Sequence, residues 1–242
     1  MKMKRSEKLG MFTGLVVGVL LLLISVFMIF QTTCKVWGAE KPANATQQGI
    51  DVSSHQGKID WEQVKNSALA DYAIIRCGYG VNQTDKDDKY WDYNSSECER
   101  LGIPYGTYLY SGADTTAKAK SEAEHVVRLL QGKNLTYPIY YDMEADMLNQ
   151  LSSTQIGNIA KTFLNTMESY GYKNVAVYSN KYLFETKLTA SVFSDYPKWI
   201  AQHSNKCTYQ GSYHMWQYST QGVIPGRSEE HTSELQSHLM IS

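Results

Sequence analysis

The sequence predicts an α/β fold: a mostly parallel sheet curled into an irregular, TIM-like (β/α) barrel whose late strands lack helices. Three observations predict it. Apolar segments such as 71–80 (DYAIIRCGYG) are continuous rather than alternating, as in strands covered on both faces of a parallel sheet. Strand-like and helix-like segments alternate through five units. Two further strand-like segments then follow with little room for a helix between them. An open doubly wound sheet is the competing arrangement, but no glycine-rich phosphate loop follows the first strand.

Taken in order, residues 49–54 (GIDVSS) form the first strand. Asp60 caps a helix, with Gln63 placed for a capping box and Trp61, Val64, Ala68 and Leu69 on one face. The second strand, 71–80, leads to a helix over 88–101 that stops at Gly102. Residues 103–112 (IPYGTYLYSG) form the third strand, and Asp114 caps a helix running to about Leu130. Residues 137–144 (YPIYYDME) form the fourth strand. Ser152 and Gln155 make a second capping-box pattern, after which Ile156, Ile159, Ala160, Phe163, Leu164 and Met167 recur at helical spacing until Gly171. Residues 174–180 (NVAVYSN) form the fifth strand, 181–193 a short amphipathic segment, and 197–204 and 213–220 the two late strands.

The N-terminus differs in kind. Lys2, Lys4, Arg5 and Lys8 precede an uncharged, mostly aliphatic run over 10–31. Roughly 20 residues span a bilayer core, and a signal-peptide core is shorter, so the length favours an uncleaved anchor. The basic segment 1–9 stays in the cytoplasm and the rest of the chain lies outside. Cleavage near Val36-Trp37-Gly38-Ala39 would instead release the body, and lipidation at Cys34 is a third possibility. Residues 32–47 read as a linker and 48–226 as the globular domain. The formal net charge of -1 gives no reason to expect nucleic acid. The cysteines Cys34, Cys77, Cys98 and Cys207 show no CxxC spacing and no partnered His, so neither a metal site nor a cofactor is expected. Cys77 and Cys98 could pair in an oxidising compartment or stay buried as thiols. The chain is expected to be a monomer.

The chemistry centres on Tyr141-Asp142-Met143-Glu144. Strand residues two apart share a face with Cα atoms roughly 6.5–7 Å apart, so Asp142 and Glu144 project together at the C-terminal end of the fourth strand. In a barrel that end is the mouth, where Asp51 also closes the first strand. Grouped carboxylates suit glycoside cleavage: one gives a proton to the leaving oxygen, another stabilises charge at the anomeric carbon, and crowding separates their pKa values. Solvated loop acids are the plainer reading, with a divalent-cation site a lesser alternative. Arg76, ending a buried strand, is expected to pair with a cleft carboxylate. His55 reads as a loop residue near the mouth.

The segments GIDVSSHQGKIDW, YAIIRCGYG, GIPYGTYLYS, YPIYYDME, NVAVYSN, KWIAQ and MWQYS occur in the order seen in glycoside hydrolase family 25, and over residues 48–222 the chain resembles that family. The resemblance implies an irregular α/β barrel that hydrolyses the β-1,4 bond between N-acetylmuramic acid and N-acetylglucosamine in peptidoglycan. It implies Glu144 as general acid, Asp142 as the carboxylate that orients the substrate's own acetamido group, and Asp51 as the first-strand carboxylate of the cleft. A direct-displacement scheme would make one Asp the nucleophile. Tyr108, Tyr110, Tyr178, Trp199, Gln217 and Tyr218 match cleft positions, Arg76 is grouped with them, and Tyr178 and Trp216 could equally be core. Peptidoglycan glycan strands are the expected partner, with the cytoplasmic membrane engaged through the N-terminal helix. A non-catalytic wall-binding module and a hydrolase of another N-acetylated glycan, such as chitin, remain competing readings. The family's final strand, which carries another Asp, falls where residues 227–242 begin. Those residues open with RSEEHTSELQSH, which looks like a translated sequencing adapter. A truncated chain, a missing last strand and an unclosed barrel are therefore expected.

Overall fold

The computed structural model describes residues 45–220, residue 222, residues 225 and 226, and the backbone of 237–241. The basic segment and apolar run of 1–31, most of the linker and the stretch 227–236 lie outside the described residues. Among those described, no helix is long and apolar enough to cross a membrane.

The strands are β1 (Gln47–Val52), β2 (Tyr72–Tyr79), β3 (Tyr105–Tyr110), β4 (Ile139–Asp142), β5 (Val175–Asn180), β6 (Lys198–Ala201), β7 (Met215–Ser219) and β8 (Ser237–Ile241). The helices are α1 (Trp61–Ser67), α2 (Trp91–Leu101), α3 (Thr116–Leu129), α4 (Ser153–Ser169), α5 (Lys181–Thr186) and α6 (Val192–Asp195). Strands β1 to β7 pair in parallel in sequence order, and β8 closes the barrel antiparallel to both β7 and β1. The irregular (β/α) barrel is as expected, with helices lost after β6.

Alternation along each strand separates two cores. Outward residues such as Ile75, Leu109, Tyr141 and Val177 pack beneath the helices with Phe163 and Trp61. Inward residues Tyr72, Ile74, Tyr140, Ala176, Trp199 and Met215 fill the barrel. Its floor is a stacked pair, Tyr72 and Tyr137, with ring centroids 4.4 Å apart. Gly49 is required beside it, since a Cβ there would lie 2.5 Å from the Tyr72 ring.

Several local expectations change. The barrel is not open: Ser237–Ile241 fills the gap between β1 and β7. Strand pairing is made by backbone groups, so a slot between two unpaired edges accepts a segment with little regard to its side chains. At α1, Asp60 accepts from the Gln63 amide at 3.1 Å, but the reciprocal arm of a capping box is absent. Asp60 N instead donates to Gly226 O at 2.7 Å. Helix α1 stops at Ser67, and Ala68 turns left-handed with φ 53°. The cap of α3 is Thr115 rather than Asp114, which pairs with Lys118 at 2.7 Å. The Ser152–Gln155 capping box forms as expected. Cys77 and Cys98 are free buried thiols, and burial pushes Cys77 up to about 12.

Candidate active site

The barrel mouth opens into a cleft of about 540 Å³. Asp51, Asp142 and Glu144 all line it, with Arg76, Tyr108, Tyr110, Tyr178, Trp199 and Gln217. Parallel strands deliver these side chains from one end, and register sets who is adjacent. Asp142 sits beside Tyr110 of β3 and Tyr178 of β5, and Tyr178 sits beside Trp199 of β6. Glu144 lies two residues beyond Asp142, just past β4. The intervening backbone is held by Met143 N to Tyr178 O at 2.9 Å and by Ser179 Oγ donating to Met143 O at 2.5 Å. Trp199 forms the base of the cleft, its ring 4.3 Å from Tyr178 and 5.0 Å from Tyr140 between centroids.

The electrostatics favour a retained proton. Asp142 is 3% exposed, and burial raises its pKa well above the ordinary 3.8, with Glu144 and Asp51 adding to the rise and Arg76 opposing it. Burial also raises Glu144, with the neighbouring Tyr178 hydroxyl opposing the rise. One proton is therefore held on this pair into a range where isolated carboxylates have lost theirs. Asp142 Oδ1 is buried and meets no hydrogen-bond donor among the described residues. An acceptor placed this way suits a donor brought by a ligand.

Gln217 links the acids to the aromatics. Its Oε1 accepts from Tyr178 OH at 2.8 Å, and its Nε2 donates to Asp51 Oδ2 at 3.2 Å. His203 Nε2 lies 3.1 Å from the same Oε1.

Two expected placements differ. Arg76 lines the cleft, but its partner is Asp88, with Nε to Oδ2 at 2.8 Å. That acid, on the loop after β2, also accepts from Ser54 N and Tyr90 N at 2.9 Å each. A fully buried carboxylate with three donors outcompetes the cleft acids for the guanidinium, whose Nη2 goes on to Ser54 Oγ at 2.8 Å. Tyr218 lies outside the lining: it follows the inward Gln217 on β7, so it points to the other face with Trp216, and its OH accepts from Gln48 Nε2 at 3.1 Å.

Sequence reasoning missed Tyr79, Ser53, Ser54 and Gln56, and gave His55 no role, though all line the cleft. The Ser53–Gln56 capping box, visible as S-x-x-Q, was the available signal for that turn. No group of three or more His, Cys, Asp or Glu able to hold a metal ion occurs among the described residues.

Residues 50–227 match the family described as Glycosyl hydrolases family 25. Among relatives, the autolytic lysozyme of Clostridium acetobutylicum is 29% identical over 182 residues, 75% of this chain and 53% of that protein. Lysozyme M1 of Streptomyces globisporus is 27% identical over 195 residues, 75% of this chain and 64% of that one. Among solved structures, the modular autolysin LytC from Streptococcus pneumoniae, in complex with a synthetic peptidoglycan ligand, is similar with a TM-score of 0.71 at 30% identity, covering 81% of this chain and 46% of that chain. A family 25 glycosyl hydrolase from Bacillus anthracis shares the fold, with a TM-score of 0.70 at 18% identity over 84% of this chain and 92% of that one. The chain spans about half the length of the autolytic lysozyme and of LytC.

Proposed function

The chain belongs to glycosyl hydrolase family 25, and from that premise we propose that it is a peptidoglycan muramidase, cleaving the β-1,4 bond between N-acetylmuramic acid and N-acetylglucosamine. The observation that carries this reading is the convergence of Asp142, Glu144 and Asp51 in one tyrosine-lined cleft, with burial raising the first two. Lysozyme relatives on either side of the comparison support it.

In the proposed mechanism Glu144 is the general acid. It gives its proton to the glycosidic oxygen as the bond from that oxygen to the anomeric carbon breaks. The substrate's acetamido oxygen closes on the anomeric carbon from the opposite face. Asp142 accepts the acetamido N–H through its unpartnered Oδ1 and offsets the developing positive charge. Water then opens the intermediate while Glu144, now a carboxylate, takes its proton. Asp51, fixed by Gln217, adds negative potential. Tyr110 and the partly exposed Tyr108 offer ring surface to the apolar sides of the sugars, while the buried Tyr178 and Trp199 shape the base of the cleft.

Sequence also supports a location outside the cytoplasmic membrane: the basic segment 1–9 followed by the apolar run 10–31 reads as an anchor or an export signal. A role in cell-wall turnover follows from that placement.

The test is release of reducing ends from purified peptidoglycan by the protein beside its Glu144→Gln variant. Release by the first and a loss of roughly 10²–10⁴-fold in the second fit a general acid at this position. A folded protein that sediments with peptidoglycan but releases nothing would replace the enzyme with a wall-binding module.

A further inference from the structure

Few large apolar side chains are exposed among the described residues, and two of them stand together at the cleft rim: Tyr79, 40% exposed, and Tyr110, 36%. They are register partners at the ends of β2 and β3, and both line the cleft. Tyr79 is held from behind. Lys86 Nζ lies 5.1 Å from its ring centroid, covering one face, and its OH donates to Asp85 O at 3.4 Å. The loop carrying Asp85 and Lys86 is itself fastened: Asp87 accepts from Arg128 Nη1 at 2.9 Å and lies 2.7 Å from His125 Nε2, while His125 Nδ1 meets Gly80 O at 3.0 Å. An exposed aromatic ring on a fixed base loses little freedom on binding, which is the property of a recognition residue. With Lys86 on one face, the opposite face is the one left for a ligand.

Resting on the muramidase reading, we infer that Tyr79 and Tyr110 form a stacking platform for a pyranose ring of the glycan chain distal to the cleaved bond, making the enzyme select long strands over short ones. Strand β2 is two strand spacings, roughly 10 Å, from β4 and Asp142, which places Tyr79 beyond the ring whose bond is broken. The platform takes the C–H face of an N-acetylated sugar. Tyr110, beside Asp142, bridges it to the reacting centre.

The experiment measures calorimetric binding of the alternating N-acetylglucosamine–N-acetylmuramic acid disaccharide and octasaccharide to the full chain carrying Glu144→Gln, so that nothing turns over. Adding Tyr79→Ala is expected to weaken the octasaccharide roughly tenfold, the loss of one partly buried ring, and to leave the disaccharide unchanged. Tyr79→Phe retains the ring and is expected to keep the affinity, and Tyr170→Ala, an exposed tyrosine at the end of α4, is the control. In the otherwise unmodified protein Tyr79→Ala is expected to raise KM on peptidoglycan with kcat unaltered. Unchanged octasaccharide affinity, equal losses for both sugars, a Tyr79→Phe loss as large as that of Tyr79→Ala, or no glycan binding at all would overturn the platform. Binding that shows the predicted length dependence in a protein that releases no reducing ends would sustain the platform and reject the muramidase. Hydrolysis indifferent to Tyr79 would do the reverse.

Discussion

Asp142 and Glu144 are two residues apart, yet their surroundings assign them different work. Asp142 is almost fully enclosed and flanked by two other carboxylates and by Arg76, whereas Glu144 is half-buried at the mouth, where a leaving group can reach it. Activity should therefore follow the protonation of the pair: kcat/KM is expected to fall at high pH, where the one held proton is lost, and at low pH, where the pair takes up a second, giving a bell-shaped profile. Arg76→Met removes the charge that opposes the rise at Asp142, so the acid limb of that profile is expected to move to higher pH. Asp142→Asn tests the energetic side. A carboxylate whose folded pKa lies above 3.8 leaves stability full below that pH and loses it as pH rises through the folded value. The amide escapes that loss, so the variant should lose activity yet melt roughly 2–4 °C higher near neutral pH, about 1 kcal/mol, with the gap shrinking in acid. Asp88→Asn works the other way. It leaves Arg76 beside a neutral partner in a largely buried setting and is expected to cost about 3 kcal/mol, read by denaturant midpoint.

At the scale of the element, caps and close contacts decide where helices begin and how they seat. The Ser152–Gln155 box was legible because both arms of it lie within four residues. Asp60 and Gln63 show the same spacing, but Gly226 takes the Asp60 amide, and no local pattern could report a partner so distant in sequence. Ser152→Ala is expected to cost about 1 kcal/mol, the usual worth of such a cap, without touching activity. Gly157 in α4 sets two effects against each other. Alanine is the better helix former by up to about 1 kcal/mol. A Cβ here, however, would lie 2.6 Å from Ala190 Cβ, a methyl that cannot swing away. Overpacking wins, and Gly157→Ala should destabilise by roughly 1–3 kcal/mol in thermal melts.

For the whole molecule, closure is the governing fact. Seven parallel strands leave β1 and β7 with unpaired edges one strand apart, and β8 satisfies both at once. Entering from the mouth, the chain can turn back antiparallel without a crossover helix, which parallel pairing would require. Its mouth-end residue Ser237 pairs with Asp51, and Leu239 with Gly49 and Gln217, so the strand borders the cleft as well as closing the wall. Deleting 237–241 is expected to lower the melting temperature by roughly 5 °C or more and to produce concentration-dependent association by size-exclusion chromatography, because two exposed edges are templates for pairing.

The sequence by itself determined the strand–helix order through β7, the inward pairing of Asp142 with Glu144 and the place of Asp51 at the same mouth. Each follows from a periodicity of two or of 3.6 residues, or from chain direction in a parallel sheet, and these are local properties. Only the tertiary structure decided that Arg76 answers to Asp88, that Gln217 ties Asp51 to Tyr178, that Tyr218 faces away from the cleft and that Tyr79 stands at its rim. Partners 12, 39 or 166 residues apart are chosen by which strand ends and loops the curled sheet brings together, and by which acceptor is most deeply buried when it does. The closing strand belongs with these, since backbone pairing into a gap depends on the gap and hardly at all on the residues that fill it.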